Sequence, residues 1–138
     1  MKFSYAALFV FVPSIFAASV PNTLEKREGG AFKTCSGATV FKSGKSVSIR
    51  MKCGDGRGGH KTTSLDLGQC LSNKNGELVW RKNGRFADTC QLDDGKNTGL
   101  RYNTDLYIWC NKGGQSVVAA INLNDRLVNR GGRLICDV

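Results

Sequence analysis

The chain has 138 residues, with 20 Lys and Arg against 11 Asp and Glu, which gives a net charge of +9. A single histidine, His60, and six cysteines without any C-x-x-C pair exclude the usual zinc sites. The length fits one domain, and the positive charge fits either a nucleic-acid, membrane or acidic-polysaccharide partner or a simple role in solubility.

Residues 1–18 predict a secretory signal peptide. One Lys precedes the apolar run AALFVFVPSIFAA at residues 6–18, which is too short to span a bilayer and ends in small residues suited to signal peptidase. A buried N-terminal helix is the alternative, but Pro13 would break it. We therefore expect cleavage between Ala17 and Ser19 and an extracellular, secreted protein.

Residues 19–27 form a polar segment that ends in the dibasic pair Lys26-Arg27. This pair resembles a kexin-type processing site of the fungal secretory pathway and predicts a propeptide, with an ordinary charged linker as the alternative. In both cases the folded unit is about residues 30–138. Removal of residues 1–27 takes away three basic residues and one acidic residue, which leaves a net charge of +7.

All six cysteines lie in this folded unit, and an even number of cysteines in a small secreted chain predicts three disulfides. Cys35 and Cys53 are about as far apart along the chain as Cys90 and Cys110. Each half of the folded unit therefore has a local pair available for a bridge.

The hydrophobic pattern has period two, which predicts strands. Apolar and polar side chains alternate in VSIRMKC, residues 47–53, and in DLYIWC, residues 105–110. SLDL, ELVW, INL and RLIC predict further short strands, separated by turns rich in Gly and Asn. The stretches LGQCLSN and LNDRLVN have leucines four positions apart, which predicts single helical turns.

The chain contains an internal repeat. Residues 64–80, SLDLGQCLSNKNGELVW, align without a gap with residues 120–136, AINLNDRLVNRGGRLIC. The segments FKTC and FADTC precede the two copies. The repeat has a period of about 55 residues, with repeat 1 at about 31–81 and repeat 2 at about 86–138.

These motifs in this order, F-x(1–2)-T-C, a strand, a second cysteine, S-[IL]-[DN]-L and N-x-[DN]-G-x-L-x-W, occur in tandem from Phe32 to Cys136. They resemble the cyanovirin-N homology family, in its secreted fungal form. The resemblance implies an all-β fold of two pseudo-symmetric lobes, each with a three-stranded antiparallel sheet and a β-hairpin. It also implies a lectin for mannose-type, notably high-mannose, oligosaccharides, without a cofactor.

The resemblance implies the bridges Cys35–Cys53 and Cys90–Cys110. We expect the remaining Cys70 and Cys136 to pair with each other and to tie one repeat to the other.

The resemblance also implies one glycan pocket in each lobe, assembled from three loops. The pocket expected to bind more strongly consists of Ser72, Asn73, Lys74, Asn75, Asn83, Gly84, Asp88, Thr89, Asn111, Lys112 and Gln115. The weaker pocket consists of Lys33, Thr34, Gly54, Asp55, Gly56, Arg57, Asn129, Arg130 and Gly131. Two departures from the family pattern weaken it: Gly131 stands where the family has an acidic or amide side chain, and FKTC is one residue shorter than FADTC.

Several of these residues have a structural alternative. Asn73 and Gly76 also suit a type I′ hairpin turn, and Asn73 could cap a helical turn. Trp80 ends a strand and is expected in the core. Trp109 and Tyr107 alternate with inward positions and should face outward, either as a sugar-stacking pair or beneath a covering loop.

Other functions have weaker support. His60 has no second histidine for a ribonuclease, and Asp93-Asp94 lies in a turn unsuited to a glycosidase, so we expect no enzyme and no metal site. The main alternative is a cationic antimicrobial or effector-like module that binds anionic cell-surface polymers. No basic run exceeds two residues and no cationic amphipathic helix is predicted, so we expect neither nucleic-acid binding nor membrane insertion. The connector RKNGR, residues 81–85, would allow a lobe-swapped dimer, but we expect mainly a monomer.

Overall fold

A computed structural model describes residues 27–93 and 97–138. The predicted signal peptide and all of the predicted propeptide except Arg27 lie outside these residues. The described part consists of short strands and four single turns of 3₁₀ helix. In this part of the chain, no helix is long and apolar enough to cross a membrane.

The first repeat contains three strands followed by a hairpin. Its elements are the 3₁₀ turn Ala31–Lys33, β1 (Cys35–Ser43), β2 (Ser46–Gly54), β3 (His60–Asp66), the 3₁₀ turn Leu67–Gln69, β4 (Leu71–Lys74) and β5 (Glu77–Trp80).

The second repeat follows the same order, with its first strand in two pieces. Its elements are the 3₁₀ turn Phe86–Asp88, β6 (Cys90–Gln91), β7 (Gly99–Arg101), β8 (Asp105–Lys112), β9 (Gln115–Asn122), the 3₁₀ turn Leu123–Asp125, β10 (Leu127–Arg130) and β11 (Arg133–Cys136).

Each repeat contributes its sheet to one lobe and its hairpin to the other. β1, β2 and β3 form one antiparallel sheet, and β8 pairs with β6, β7 and β9 in the second. The hairpin β10–β11 packs on β3, and the hairpin β4–β5 packs on β9. We call β1–β3 with β10–β11 lobe A, and β6–β9 with β4–β5 lobe B. The expected all-β, two-lobed cyanovirin-N-like fold is confirmed.

The period-two pattern produces the predicted burial. In β2 the side chains of Ile49, Met51 and Cys53 are buried while those between them are exposed. In β8 the buried Ile108 and Cys110 lie on either side of the half-buried Trp109. The polar face of each sheet therefore remains available to solvent and loops.

The repeated leucines form the centre of one continuous core. Leu67, Leu71, Leu123 and Leu127 are fully buried, at corresponding positions of the two repeats. Each predicted helical turn is shorter than expected: only Leu67–Gln69 and Leu123–Asp125 form 3₁₀ turns, and Leu71 and Leu127 begin strands β4 and β10. Trp80 is half-buried and packs against the core, as expected.

The three expected disulfides are present. Cys35 faces Cys53 across β1 and β2, and Cys90 faces Cys110 across β6 and β8. The third bridge joins Cys70, at the start of the first hairpin, to the last residue of β11. Because the two hairpins belong to different lobes, this bridge ties the lobes together.

Candidate functional site

The side chain of Asn73 holds three segments of lobe B together. Its Nδ2 donates to Thr89 Oγ1 at 2.9 Å and to the Asn111 carbonyl at 3.0 Å, and its Oδ1 accepts from the Gly76 amide at 2.7 Å. Both amide hydrogens are thus used within the protein. Asn73 therefore fixes the hairpin turn against the other two loops, and it does not cap a helical turn.

The turn beside Asn73 has the expected type I′ geometry. Asn75 and Gly76 have φ of 50° and 87°, and the same pair of left-handed residues occurs at Gly131 and Gly132 in lobe A. The equivalence means that Gly131 stands where lobe B carries the Asn75 side chain. The side chain predicted to be missing from the pocket of lobe A is therefore the one that Asn75 provides at the same turn position in lobe B.

Two clefts lie on either side of the Asn73 contact. The first has a volume of about 290 Å³ and the second about 530 Å³. The first is lined by Asp88, Thr89, Gln91, Trp109, Asn111, Gly114, Gln115 and Ser116. The second is lined by Lys74, Asn75, Gly76, Glu77, Lys112, Val117 and Val118. Asn111 lines the first cleft and the next residue, Lys112, lines the second, and seven of the eleven residues of the predicted stronger set line one or the other cleft.

Three residues of the predicted stronger set, Asn83, Gly84 and Ser72, line neither of these clefts. The backbone amide of Asn83 donates to the backbone carbonyl of Gln69 at 2.9 Å. Asn83 also lines a different cleft, together with Gln69 and Cys136. Gly84 packs against the Leu71 carbonyl so closely that a Cβ would come within 2.3 Å of it. The backbone of the connector is therefore bound to the base of the first hairpin, which turns both residues away. Ser72 is half-buried in β4 and lines neither cleft.

Trp109 lies in the wall of the first cleft. It is half-buried, and its indole Nε1 donates to Asp93 Oδ2 at 2.7 Å. Tyr107 is half-buried on the same face, with the Arg101 guanidinium 5.3 Å from its ring centroid. Both aromatic rings thus face outward as predicted, and each is partly covered.

Gln91 and Ser116 also line the first cleft, and the sequence analysis did not select them. Gln91 follows Cys90 on a strand whose cysteine points inward, so alternation indicates an outward side chain. Ser116 follows the predicted Gln115 at the start of β9. Alternation along β6 was the available signal for Gln91. For Ser116 the structure gives the reason, because Ser116 pairs with the predicted Asn111 across β8 and β9.

Lobe A contains the same asparagine contact. Asn129 Nδ2 donates to Thr34 Oγ1 at 3.0 Å and to the Gly54 carbonyl at 2.8 Å, and its Oδ1 accepts from the Gly132 amide at 2.8 Å. The three loops of the predicted weaker pocket are therefore also held together, with the same bonding pattern as in lobe B.

The loop after β2 is closed by Asp55. One oxygen of its carboxylate accepts from the amides of Arg57 and Gly59, at 2.7 and 3.0 Å. These two hydrogen bonds hold the pKa of Asp55 below its usual value, and the bond from the Arg57 amide has the larger effect. The nearby positive charge of Lys61 lowers the pKa as well. The carboxylate is thus bound to its own loop, while Gly56 and Arg57 stay exposed at the tip.

The residues considered for a metal site or an enzyme, His60 and Asp93, are both exposed. Over residues 27–93 and 97–138, no group of three His, Cys, Asp or Glu side chains could hold a metal ion. His60 is exposed at the start of β3, opposite Gly54. Asp93 bonds to Trp109 and Thr98, and Asp94 lies outside the described residues.

Comparison with known proteins gives consistent matches. A family model described as the CVNH domain matches residues 32–135. The CVNH protein of T. borchii is 26% identical, with a TM-score of 0.61 over 78% of this chain and 98% of that chain. A MoCVNH3 variant (Mo0v) in complex with (N-GlcNAc)4 is 19% identical, with a TM-score of 0.65 over 78% and 97%. Microvirin, in a mannobiose complex, is 23% identical, with a TM-score of 0.55 over 79% and 98%.

These solved structures share the two-lobed fold described above. The family model covers more than half of the chain, from the segment before the first disulfide to the last strand. The chain therefore belongs to the CVNH family.

Proposed function

We propose that the protein is a lectin that binds mannose-type oligosaccharides, with the two clefts of lobe B as its main site. The observation that carries the proposal is the Asn73 contact, which fixes three polar loops as one preformed surface. A preformed surface loses little conformational entropy on binding, which matters for a ligand that buries little apolar area. Two similar proteins have solved structures with (N-GlcNAc)4 and with mannobiose, which supports a sugar as ligand.

The groups around the clefts suit a neutral sugar. Asn75 and Gln115 supply amides, Ser116 a hydroxyl, and Asp88 a carboxylate acceptor, and all four are exposed. Sugar hydroxyls both donate and accept, so a mixture of such groups can match them. The half-buried ring of Trp109 adds an apolar patch for the C–H face of a sugar.

Secretion is part of the proposal. All six cysteines are paired in bridges, and such bridges persist in oxidising compartments. The predicted signal peptide agrees with this, and N-terminal sequencing of protein from the culture medium tests it.

We also propose a monomer. The connector is bound to its own hairpin by backbone bonds from Arg81 to Cys70, from Asn83 to Gln69 and from Arg85 to Gly68, at 2.8 to 2.9 Å. A lobe-swapped dimer would in addition make the Cys70–Cys136 bridge intermolecular. A covalent dimer on a non-reducing gel would contradict the proposal.

The test compares two triple variants by calorimetric titration with an oligomannoside. The lobe B variant is N75G/D88A/Q115A; glycine is chosen because the φ of Asn75 is positive. We expect it to lose at least about tenfold in affinity, since each lost hydrogen bond contributes about 1 kcal/mol. The matched lobe A variant, K33A/R57A/R130A, should bind the neutral glycan as the unmodified protein does. Undiminished binding by the lobe B variant would refute the site.

A further inference from the structure

The two lobes differ in charge at matched positions around their asparagine contacts. Lys33 precedes Thr34 in lobe A, and Asp88 precedes Thr89 in lobe B; each threonine accepts the bond from its asparagine. Lys33 and Asp88 are both exposed. At this position, lobe A carries a positive charge where lobe B carries a carboxylate that is paired with Arg85, at 3.2 Å between Asp88 Oδ2 and Arg85 Nε.

A second reversal occurs at the end of the hairpins. Lys74 pairs with Glu77 in lobe B, an opposite-charge pair, whereas Arg130 pairs with Arg133 in lobe A. Like charges directly opposite each other in an antiparallel pair are unfavourable. Lobe A therefore keeps an arrangement that an anion would stabilise.

A third difference lies beneath the turns. Val117 and the side-chain stem of Lys112 pack under Gly76 in lobe B. In lobe A the stem of Lys61 packs under Gly132, with its Cδ 3.0 Å from the position of an added Cβ. The register confirms the match, because Lys61 pairs with Cys53 as Val117 pairs with Cys110. At this position an apolar side chain in lobe B is thus replaced by a cationic one in lobe A. Two residues after each cysteine the change is opposite, with Lys112 in lobe B and Asp55 in lobe A, so the excess of positive charge in lobe A comes from the other positions.

Two nearby carboxylates offset part of this charge, since Asp55 interacts with Lys61 and Glu28 with Arg130. Asp55 is held by the amides of its own loop, and Arg57 stays exposed. Glu28 lies on Arg130, with Glu28 Oε2 3.2 Å from Arg130 Nη2, and both side chains are more than half exposed. The contact shows that a carboxylate already reaches this guanidinium, whose planar fork suits carboxylate and phosphate groups.

We propose that lobe A binds an acidic glycan, an oligosaccharide that carries a phosphate, sulfate or carboxylate group. Lys33, Arg57, Lys61 and Arg130 supply the positive charge, and Glu28 competes with the ligand for Arg130. The proposal rests on the proposed lectin function, since it takes the loops of lobe A as a second sugar site. It assigns a ligand class to the lobe that lacks the Asn75 side chain.

The experiment is an NMR titration of the ¹⁵N-labelled, disulfide-bonded protein. The probes are mannobiose, mannobiose carrying a 6-phosphate, a sulfated mannobiose, an oligogalacturonide and inorganic phosphate. We expect at least one acidic sugar to shift the lobe A amides of Thr34, Gly54 and Gly132. Mannobiose should instead shift the lobe B amides of Gly76 and Asn111. The three acidic sugars show which anionic group is preferred.

Variants give the matched controls. K33A/R57A/R130A should weaken binding of the acidic sugar by about tenfold or more, from the sum of three exposed charge contacts. E28Q should strengthen it by about two- to fivefold, because it removes an exposed competing carboxylate. N75G/D88A/Q115A should leave it unchanged.

Three outcomes would overturn the proposal. One is that no acidic sugar binds lobe A more tightly than mannobiose does. Another is that inorganic phosphate binds there as tightly as the sugars, which would make lobe A an anion site without sugar recognition. The third is acidic-sugar binding unaffected by K33A/R57A/R130A. Failure of mannobiose to bind lobe B, with the acidic sugar still binding lobe A, would refute the proposed mannose function and support this one.

Discussion

Replacement of Asn73 by alanine tests whether this residue holds the three loops of lobe B together. The variant loses the two bonds that Nδ2 donates, to Thr89 and Asn111, and the bond that Oδ1 accepts from Gly76. Asn129 makes the same three bonds in lobe A and is therefore the matched control.

The expected loss follows from these three bonds. A neutral hydrogen bond contributes about 0.5–1.5 kcal/mol to stability net of water. The partners lie near the surface, where water can replace the lost bonds, so the low end of that range applies. We expect each variant to lose about 2 kcal/mol, which lowers a urea midpoint by roughly 1 M.

Equilibrium urea unfolding with the disulfides intact measures this loss, and titration with an oligomannoside measures affinity. Asn73→Ala should lose both stability and affinity, because the three loops of lobe B are no longer held together. Asn129→Ala should lose similar stability and keep its affinity for the neutral glycan. A change in stability below about 0.5 kcal/mol for Asn73→Ala would contradict the assigned role.

Three further predictions concern the scaffold. The bridge Cys70–Cys136 closes a loop of 66 residues, so replacing both cysteines by alanine should lower the unfolding free energy by about 4 kcal/mol in the chain-entropy account; a loss below about 1 kcal/mol would contradict it. The lowered pKa of Asp55 stabilises its loop above pH 3.8, and this contribution is lost as the pH falls through the lowered pKa. An NMR pH titration of the Asp55 carboxyl carbon should therefore have its midpoint below 3.8, and a midpoint at or above that value would oppose the assignment. Gly76→Ala should destabilise more than Gly113→Ala in urea unfolding, since the new Cβ at Gly76 would lie 2.8 Å from Val117 and the one at Gly113 has open space, although both have positive φ. Equal losses would mean that the strain of a positive φ determines the loss of stability and that the contact with Val117 does not.

Local patterns predicted the strands with clear alternation, such as β2 and β8, and the hairpin turns, but they did not identify β1, β4 or β10. The alternation in residues 47–53 fixes which side chains of β2 are buried, because the pleat puts neighbours on opposite faces. The left-handed φ of Gly131 and Gly132 is a similarly local property. The fold of the two lobes followed from the family resemblance, whose motifs recur in both repeats.

Long-range contacts could not be predicted in this way. Asn73 donates hydrogen bonds to Thr89 and Asn111, which lie 16 and 38 positions away in the sequence. The residues next to Asn73 in the sequence therefore predict the hairpin turn but not these contacts. Asn83 lies in a polar Asn-Gly segment and was therefore assigned to the binding loops. Its backbone N–H is instead bonded to the carbonyl of Gln69. The indole bond from Trp109 to Asp93 likewise depends on where the loop after β6 lies.

The repeat separates what stabilises the fold from what selects a ligand. At the centre of each set of loops an asparagine donates a hydrogen bond to a threonine, Asn73 to Thr89 in lobe B and Asn129 to Thr34 in lobe A. A change of either partner would release a loop. The side chains around these groups are exposed, so their replacement costs the fold little. The charges of the two lobes can therefore differ while the loops keep one geometry. Two sites of different ligand preference, one for neutral and one for acidic sugars, are what such a scaffold permits.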